Sequence, residues 1–351
     1  MTADMSGVTR PYWRSIYLSM TYLLKPLKVR SMNLANRLVM PPIATAKAEP
    51  DGKVSQALLD YYEEKSRGGY ISLIIIEHSY ITPEGKASYN QLSVSDDAAI
   101  PGLRKLAEVI HRNGSKTAMQ INHAGSAALK EVTGTTPLAP SATANPRRGD
   151  MPREITRKEI SDIVNAFKDA SSRVREAGFD AVEIHSAHGY LLNQFLSPLT
   201  NKRTAEYGGD ISNRIRIHLQ VIQAVRTAVG PDFPIQVRLG ASDYAEGGTT
   251  IEDSKIAARA FEKAGVDVIH ISGGFVGYTL PGLTGQGYFA PLSEAIKSAV
   301  SIPVILTGGI TEGEAAEKFL AEKKADLIGV GRAILQDSAW AERAIENLRS
   351  K

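Results

Sequence analysis

Eight short apolar runs, each followed by a longer amphipathic segment, constrain this 351-residue chain more than any other feature. The runs are residues 38–40, 73–76, 117–121, 181–184, 235–239, 268–271, 304–306 and 327–330. They lack strict polar alternation, as expected of strands covered on both faces of a parallel sheet. The helical patterns between them are 56–65, 102–112, 157–177, 213–228, 251–264, 292–299, 312–320 and a last one from Trp340. In the third, Ile160, Ile163, Val164, Phe167, Ala170, Val174 and Ala177 follow one helix face. Glycines recur between a helix and the next strand, at Gly69, Gly114, Gly178, Gly230 and Gly265. Eight strand–helix repeats predict an α/β fold, a (β/α)8 TIM barrel. A Rossmann arrangement would need a G-x-G-x-x-G turn opening an early helix, and none is present. Residues 122–159 are polar and rich in Pro, Thr and Gly, and read as an elaborated loop after strand 3, over the active face.

Hydrophobic residues make up 43% and charged residues 23%, enough for a substantial core and against global disorder. Lys plus Arg number 41 against 38 Asp plus Glu, a net charge of +3. No basic block or aromatic-interleaved stripe accompanies that excess, which argues against nucleic acid as a partner. Cysteine is absent, which removes disulfides, Fe–S clusters, thiolate zinc sites and a cysteine nucleophile, and is compatible with a cytoplasmic location. Near the start, Ile16 to Leu24 is an apolar run preceded by Arg10 and Arg14, too short to span a bilayer and without a small-x-small cleavage site before Lys25 and Lys28. No membrane association is expected. Residues 1–20 read as a poorly ordered N-terminal extension, with Met20 a candidate true start, and residues 21–351 as a single barrel domain.

Catalytic groups of such a barrel sit at the C-terminal strand ends. Those ends supply Pro41, Pro42, Ile43, Ala44 and Thr45, then Glu77 and His78, then Gln120, Asn122 and His123. Strand 4 gives His185, His188 and Tyr190, strand 5 Arg238, strand 6 Ser272, Gly273 and Gly274. Strand 7 ends in Thr307, Gly308 and Gly309, and strand 8 in Gly331 and Arg332. Two imidazoles and a phenol crowd the end of strand 4. Imidazole N–H groups can hold a carbonyl oxygen, and a phenol can deliver a proton, so the set suits chemistry on a polarised double bond. A free phenol titrates near pH 10, so it is available as an acid at neutral pH. Either histidine alone could be structural, and an H-x-x-H pair could bind metal. No carboxylate cluster suits a divalent cation, and no metal is expected.

Gly308-Gly309 and Gly331-Arg332 occur where barrels of this kind hold a phosphate, with loop N–H groups, a short helix N-terminus and a guanidinium fork. Either pair alone would be an ordinary tight turn. Together, on adjacent strands, they favour a phosphate-bearing cofactor.

Val39-Met40-Pro41-Pro42, Gln120, the run from Glu183 through Asn193-Gln194, Asn201 and Arg203 to Arg214, Val237-Arg238, Thr307-Gly308-Gly309-Ile310 and Gly329-Val330-Gly331-Arg332 occur in one order. In these residues the chain resembles the old yellow enzyme family of FMN-dependent NAD(P)H oxidoreductases, from about Leu24 onward. The resemblance implies a barrel that binds FMN noncovalently, accepts hydride from NADH or NADPH, and passes it to the activated C=C bond of an α,β-unsaturated carbonyl or related compound. His185 and His188 then match the pair that grips the substrate oxygen, and Tyr190 the residue that protonates the α carbon. Gln120 matches the residue at the flavin pyrimidine edge and Arg238 the cation near N1 and O2. Pro41, Pro42, Ile43 and Ala44 match the segment along the isoalloxazine ring. His78 falls where the family usually has a small residue beside the flavin, so a flavin contact, packing and a substrate-side function are all open. Gly274 joins Gly308, Gly309, Gly331 and Arg332 on the cofactor side.

The chain departs from the pattern at Ala44, where the family usually carries Thr or Cys, and at Ala46, where one subclass has a tyrosine. The lack of cysteine argues against the Fe–S arrangement of larger dienoyl-CoA-reducing relatives. A homo-oligomer is left open. Two other readings remain: a phosphate-binding barrel lyase, which should show a lysine at a strand end, and a flavin-binding protein without turnover.

Overall fold

The computed structural model describes residues 21–350, apart from 146–149, 276, 280 and 281. The expected extension at 1–20 lies outside the described residues. Eight strands close into a barrel: β1 Leu38–Met40, β2 Leu73–Tyr80, β3 Lys116–Asn122, β4 Ala181–Ser186, β5 Ile235–Gly240, β6 Val268–Ser272, β7 Val304–Leu306 and β8 Leu327–Gly329. Every neighbouring pair is parallel, and β8 pairs with β1 through Ile328 opposite Leu38. Among the described residues, eight main helices alternate with them: α1 Gln56–Ser66, α2 Ile100–Arg112, α3 Arg157–Glu176, α4 Arg216–Val229, α5 Ile251–Ala264, α6 Ala290–Lys297, α7 Gly313–Ala321 and α8 Trp340–Arg349. This is the (β/α)8 barrel that the alternation predicts.

Local chemistry agrees with these boundaries. Thr156 and Thr250 each form a capping box, with Glu159 and Asp253 respectively, satisfying orphan donors at the starts of α3 and α5. Gly265 ends α5 in the left-handed region at φ 106°, a conformation that costs an L side chain about 1 kcal/mol or more.

Among the described residues, two small sheets lie outside the barrel. An antiparallel hairpin, Leu27–Val29 with Met32–Leu34, buries Val29, Met32 and Leu34 against Val39, Leu73, Ala118, Ala181, Val268, Ile305 and Leu327. It plugs the N-terminal mouth. Within the elaborated loop, Leu138–Ala139 pairs with Arg153–Glu154. The barrel interior is therefore apolar at its floor and becomes polar upward. Period-two alternation puts Ala181, Glu183 and His185 of β4 on the same side, and likewise Val268, His270 and Ser272 of β6. The larger hydrophobic cluster lies between the strands' outward residues, such as Val182, Ile184 and Ile269, and the helices.

Among the described residues no helix is long and apolar enough to cross a membrane.

Candidate active site

A cavity of about 710 Å³ opens at the C-terminal mouth, within the roughly 300–1,000 Å³ of ligand sites. Its wall includes His78, Gln120, His185, His188, Tyr190 and Arg238. It also includes the strand-1 segment Pro41, Pro42, Ile43 and Ala44, together with Gly308, Gly309, Gly331 and Arg332. Of the residues matched to cofactor or substrate, only Gly274 is not on this wall; of the other strand-end residues, Thr45, Glu77, Asn122, His123 and Gly273 do not line it either. The Gly274 backbone packs under Gly240, where a Cβ added to Gly240 would stand 2.6 Å from the Gly274 Cα. Gly274 serves close approach of β5 and β6 rather than lining the cavity.

The β4 end is built by its own sequence. His185 closes the inward row of β4, and the Ala187 N–H donates to its Nδ1 at 3.2 Å, which puts the ring proton of the neutral form on Nε2. Burial, with the nearby charges of His188 and Arg238 adding to it, holds the His185 pKa well below the ordinary imidazole range. His188 and Gly189 then turn through left-handed backbone at φ 61° and 74°. Asn193 Oδ1 accepts from the Gly189 N–H at 2.8 Å, while Gln194 Nε2 donates to the Gly189 carbonyl at 2.6 Å. These two amides explain why Asn193-Gln194 follows the histidines: they clamp the turn that throws His188 back over the cavity. Asn201, Arg203 and Arg214 bond to backbone and acidic groups outside it. The rings of His185 and His188 lie 5.0 Å apart, edge to face, and the Tyr190 ring is 5.0 Å from His185.

Beneath them runs a buried polar layer. Gln120 Nε2 donates to Glu183 Oε1 at 2.7 Å, and His270 Nδ1 lies 2.8 Å from Glu183 Oε2. Arg238 is 7% exposed, and its Nε–H has no hydrogen-bond partner within the protein. Burial lowers its pKa, opposed by the Glu183 charge, and a guanidinium still stays protonated. A cation with an unmatched donor at a cavity wall calls for an anionic or oxygen-bearing ligand.

Several wall residues gave no signal in the sequence. Tyr278 and Tyr288 come from the irregular loop after β6, which has no periodicity to mark it. The Tyr288 hydroxyl donates to the Tyr278 carbonyl at 2.7 Å, and its ring packs where side chains on Gly308 and Gly309 would stand. Both glycines are left-handed, at φ 116° and 69°, and a Cβ on either would crowd the Tyr288 ring. The Tyr278 ring lies 5.5 Å from that of His188. Ser272 Oγ, at a strand end noted for its glycines, lies 2.7 Å from His188 Nε2.

A family description, the NADH:flavin oxidoreductase / NADH oxidase family, matches residues 22–351. The chain belongs to this family, that of old yellow enzyme. An NADH oxidase of Thermoanaerobacter brockii is 43% identical over 331 residues, covering 92% of this chain and 50% of that protein. An NADPH dehydrogenase of Halalkalibacterium halodurans is 40% identical over 317 residues, covering 90% of this chain and 91% of its own. The solved structure of an old yellow enzyme homologue from Zymomonas mobilis superposes with a TM-score of 0.81 at 26% identity, over 93% of this chain and 92% of that one. The chain thus spans about half the length of the first of these relatives and nearly all of the other two.

The cofactor of this family is FMN, with NADH or NADPH as hydride donor. The wall fits it: at the glycine corner Gly308, Gly309 and Gly331 present backbone without side chains of their own to the cavity beside Arg332, Arg238 offers an unmatched guanidinium donor, and Gln120 offers the end of its amide not bound to Glu183.

Proposed function

We propose that this protein is an ene-reductase, which takes hydride from NADH or NADPH and reduces the activated C=C bond of α,β-unsaturated carbonyl and related compounds. The observation that carries the reading is the convergence of His185, His188 and Tyr190 on the same cavity as Arg238 and the glycine corner. FMN, when bound, would supply the hydride-transfer centre between donor and alkene. Pro41 to Ala44, Gln120, Arg238, Gly308, Gly309, Gly331 and Arg332 would hold it.

Hydride addition at the β carbon drives negative charge onto the substrate oxygen. His185 offers an Nε2–H to that oxygen, with its tautomer fixed by Ala187. His188 can offer its Nδ1–H when Nε2 accepts from the Ser272 hydroxyl. Tyr190 would give its phenolic proton to the α carbon. Arg238 would balance negative charge in the cavity, as a fixed cation in a partly desolvated site. No lysine lines the cavity among the described residues, which weighs against a Schiff-base lyase. Residues 21–351 acting as one FMN-binding unit, in the cytoplasm and on small molecules, belong to the same proposal.

The test is direct. Purified protein should be yellow, release FMN on denaturation, and oxidise NADPH or NADH in the presence of cyclohexenone or N-ethylmaleimide. A protein that takes up no FMN, or one whose reduced flavin is not reoxidised by either alkene under anaerobic conditions, would rule the reading out.

A further inference from the structure

We propose that His78 is a third oxygen-binding group of the substrate pocket, selecting activated alkenes that carry a second hydrogen-bond acceptor beyond the one held by His185 and His188. The inference rests on the ene-reductase reading and deepens it.

The tautomer of His78 is set by its neighbours. Gln91 Oε1 accepts from the Ala87 N–H at 2.7 Å, which fixes the orientation of the Gln91 amide. Its Nε2 therefore points at His78, donating to the carbonyl at 3.0 Å and to ring Nδ1 at 3.2 Å. Asn122 Nδ2 lies 3.2 Å from the same Nδ1. A ring nitrogen that receives N–H donors carries no proton of its own, so the neutral ring has its hydrogen on Nε2. Burial, with the Arg238 charge adding to it, holds the pKa down to about 4, and the ring is neutral at pH 7.

Nδ1 is turned toward Gln91 and Asn122, which leaves the Nε2 edge of the ring for the cavity that His78 lines. The ring stacks on Tyr190 with centroids 5.1 Å apart and planes 27° from parallel, and meets His185 edge to face at 6.2 Å. His185 thus meets two other imidazoles edge to face, His188 from its own strand end and His78 from β2. Reducing a simple enone needs one oxygen held and one proton delivered, which leaves the His78 donor unused. An imide, quinone or other alkene with two oxygen acceptors would engage it as well. The second acceptor would lie at the Tyr190 end of the pocket.

The experiment compares kcat/KM of the holoenzyme for N-ethylmaleimide, with two carbonyls, against cyclohexenone, with one. His78→Phe keeps an aromatic ring against Tyr190 and removes the donor; His78→Gln restores an N–H. We expect the maleimide-to-cyclohexenone ratio to fall about tenfold in His78→Phe, the size of one lost hydrogen bond. The fall should appear in KM rather than kcat, with part of it recovered in His78→Gln. If His78→Phe fails to fold, His78→Ala gives the same comparison. A ratio that stays constant, or an FMN dissociation constant raised many-fold in both ring and amide variants, overturns the proposal. Wild-type enzyme inert toward both alkenes overturns the ene-reductase reading itself, and is thereby distinguishable from a failure of the His78 assignment alone.

Discussion

Gln120 donates its amide Nε2–H to Glu183 Oε1 across 2.7 Å, and that one bond decides which end of Gln120 is left for the cavity. The remaining end is the carbonyl oxygen, an acceptor suited to an imide N–H such as a flavin pyrimidine edge carries. Glu183 is fully buried and also holds His270 at 2.8 Å. It is therefore an orienting group, and its charge favours the ionised form of the buried Arg238.

Glu183→Leu removes the acceptor that orients Gln120, so that its amide can rotate, and leaves Arg238 without the nearby carboxylate. We expect apoprotein to bind FMN about tenfold more weakly, the cost of one misoriented hydrogen bond in a buried site. Stability should fall, because the buried Arg238 loses the carboxylate charge that favours its ionised form and His270 loses its partner. Fluorescence titration of FMN and urea unfolding give the two numbers. An unchanged FMN affinity would mean that Gln120 is oriented by something other than Glu183.

The Ser272–His188 contact carries a second expectation. Without the hydroxyl, His188 can place its proton on Nε2 and turn a lone pair toward the substrate oxygen. In Ser272→Ala, reoxidation of reduced enzyme by cyclohexenone should slow about tenfold, while reduction by NADPH changes little. Stopped-flow measurement of the two half-reactions separates them. If only the reductive half slows, Ser272 does not act through the oxygen-binding pair.

Tyr190→Phe removes the proposed acid and keeps the ring against His78 and His185. Reoxidation by enones should slow by roughly a hundredfold or more, in keeping with loss of general acid catalysis. The wild-type rate should show no titration from His185 between pH 6 and 8, since burial keeps that imidazole neutral there. A rate limb in that window that vanishes in His185→Ala would contradict the neutral-donor assignment.

Much of this was legible from the residues because the barrel strands are covered on both faces. Continuous apolar runs such as Val304–Leu306 and Leu73–Ile76 stand out against polar helix faces, and the observed bounds differ from the expected ones by a residue or two on most strands. β2 is the exception, running to Tyr80 through a register shift between Ile76 and Ser79, which no apolar pattern marks. The floor hairpin was missed because Leu27–Val29 and Met32–Leu34 have three residues each, too few to show alternation. At the site, side chains projecting from strand ends could be placed by counting along β4 and β5. Tyr278 and Tyr288 could not, since nothing local in an irregular loop says which way it folds back. The same limit hid the Ser272–His188 and Gln91–His78 contacts, which join residues far apart in the chain.

Glu77 gives the protein a stability that depends on pH. Its carboxyl is 1% exposed, beside the strand-1 segment, where Oε2 accepts from the Thr45 N–H at 3.1 Å. Burial raises its pKa from 4.5 to about 7, with the Thr45 bond opposing the rise. The folded state therefore holds this proton more tightly than the unfolded chain does. The resulting stabilisation is complete below about pH 4.5 and is lost as pH rises through about 7. A rise of that size corresponds to about 3 kcal/mol. In Glu77→Gln the amide can still accept from Thr45 but does not titrate. Urea unfolding of the two proteins at pH 5, 6, 7 and 8 should show wild type losing stability relative to Glu77→Gln across that range, with the difference levelling off above about pH 7. Parallel curves would mean that the carboxyl is already ionised in the fold, with Lys47 supplying the compensating charge.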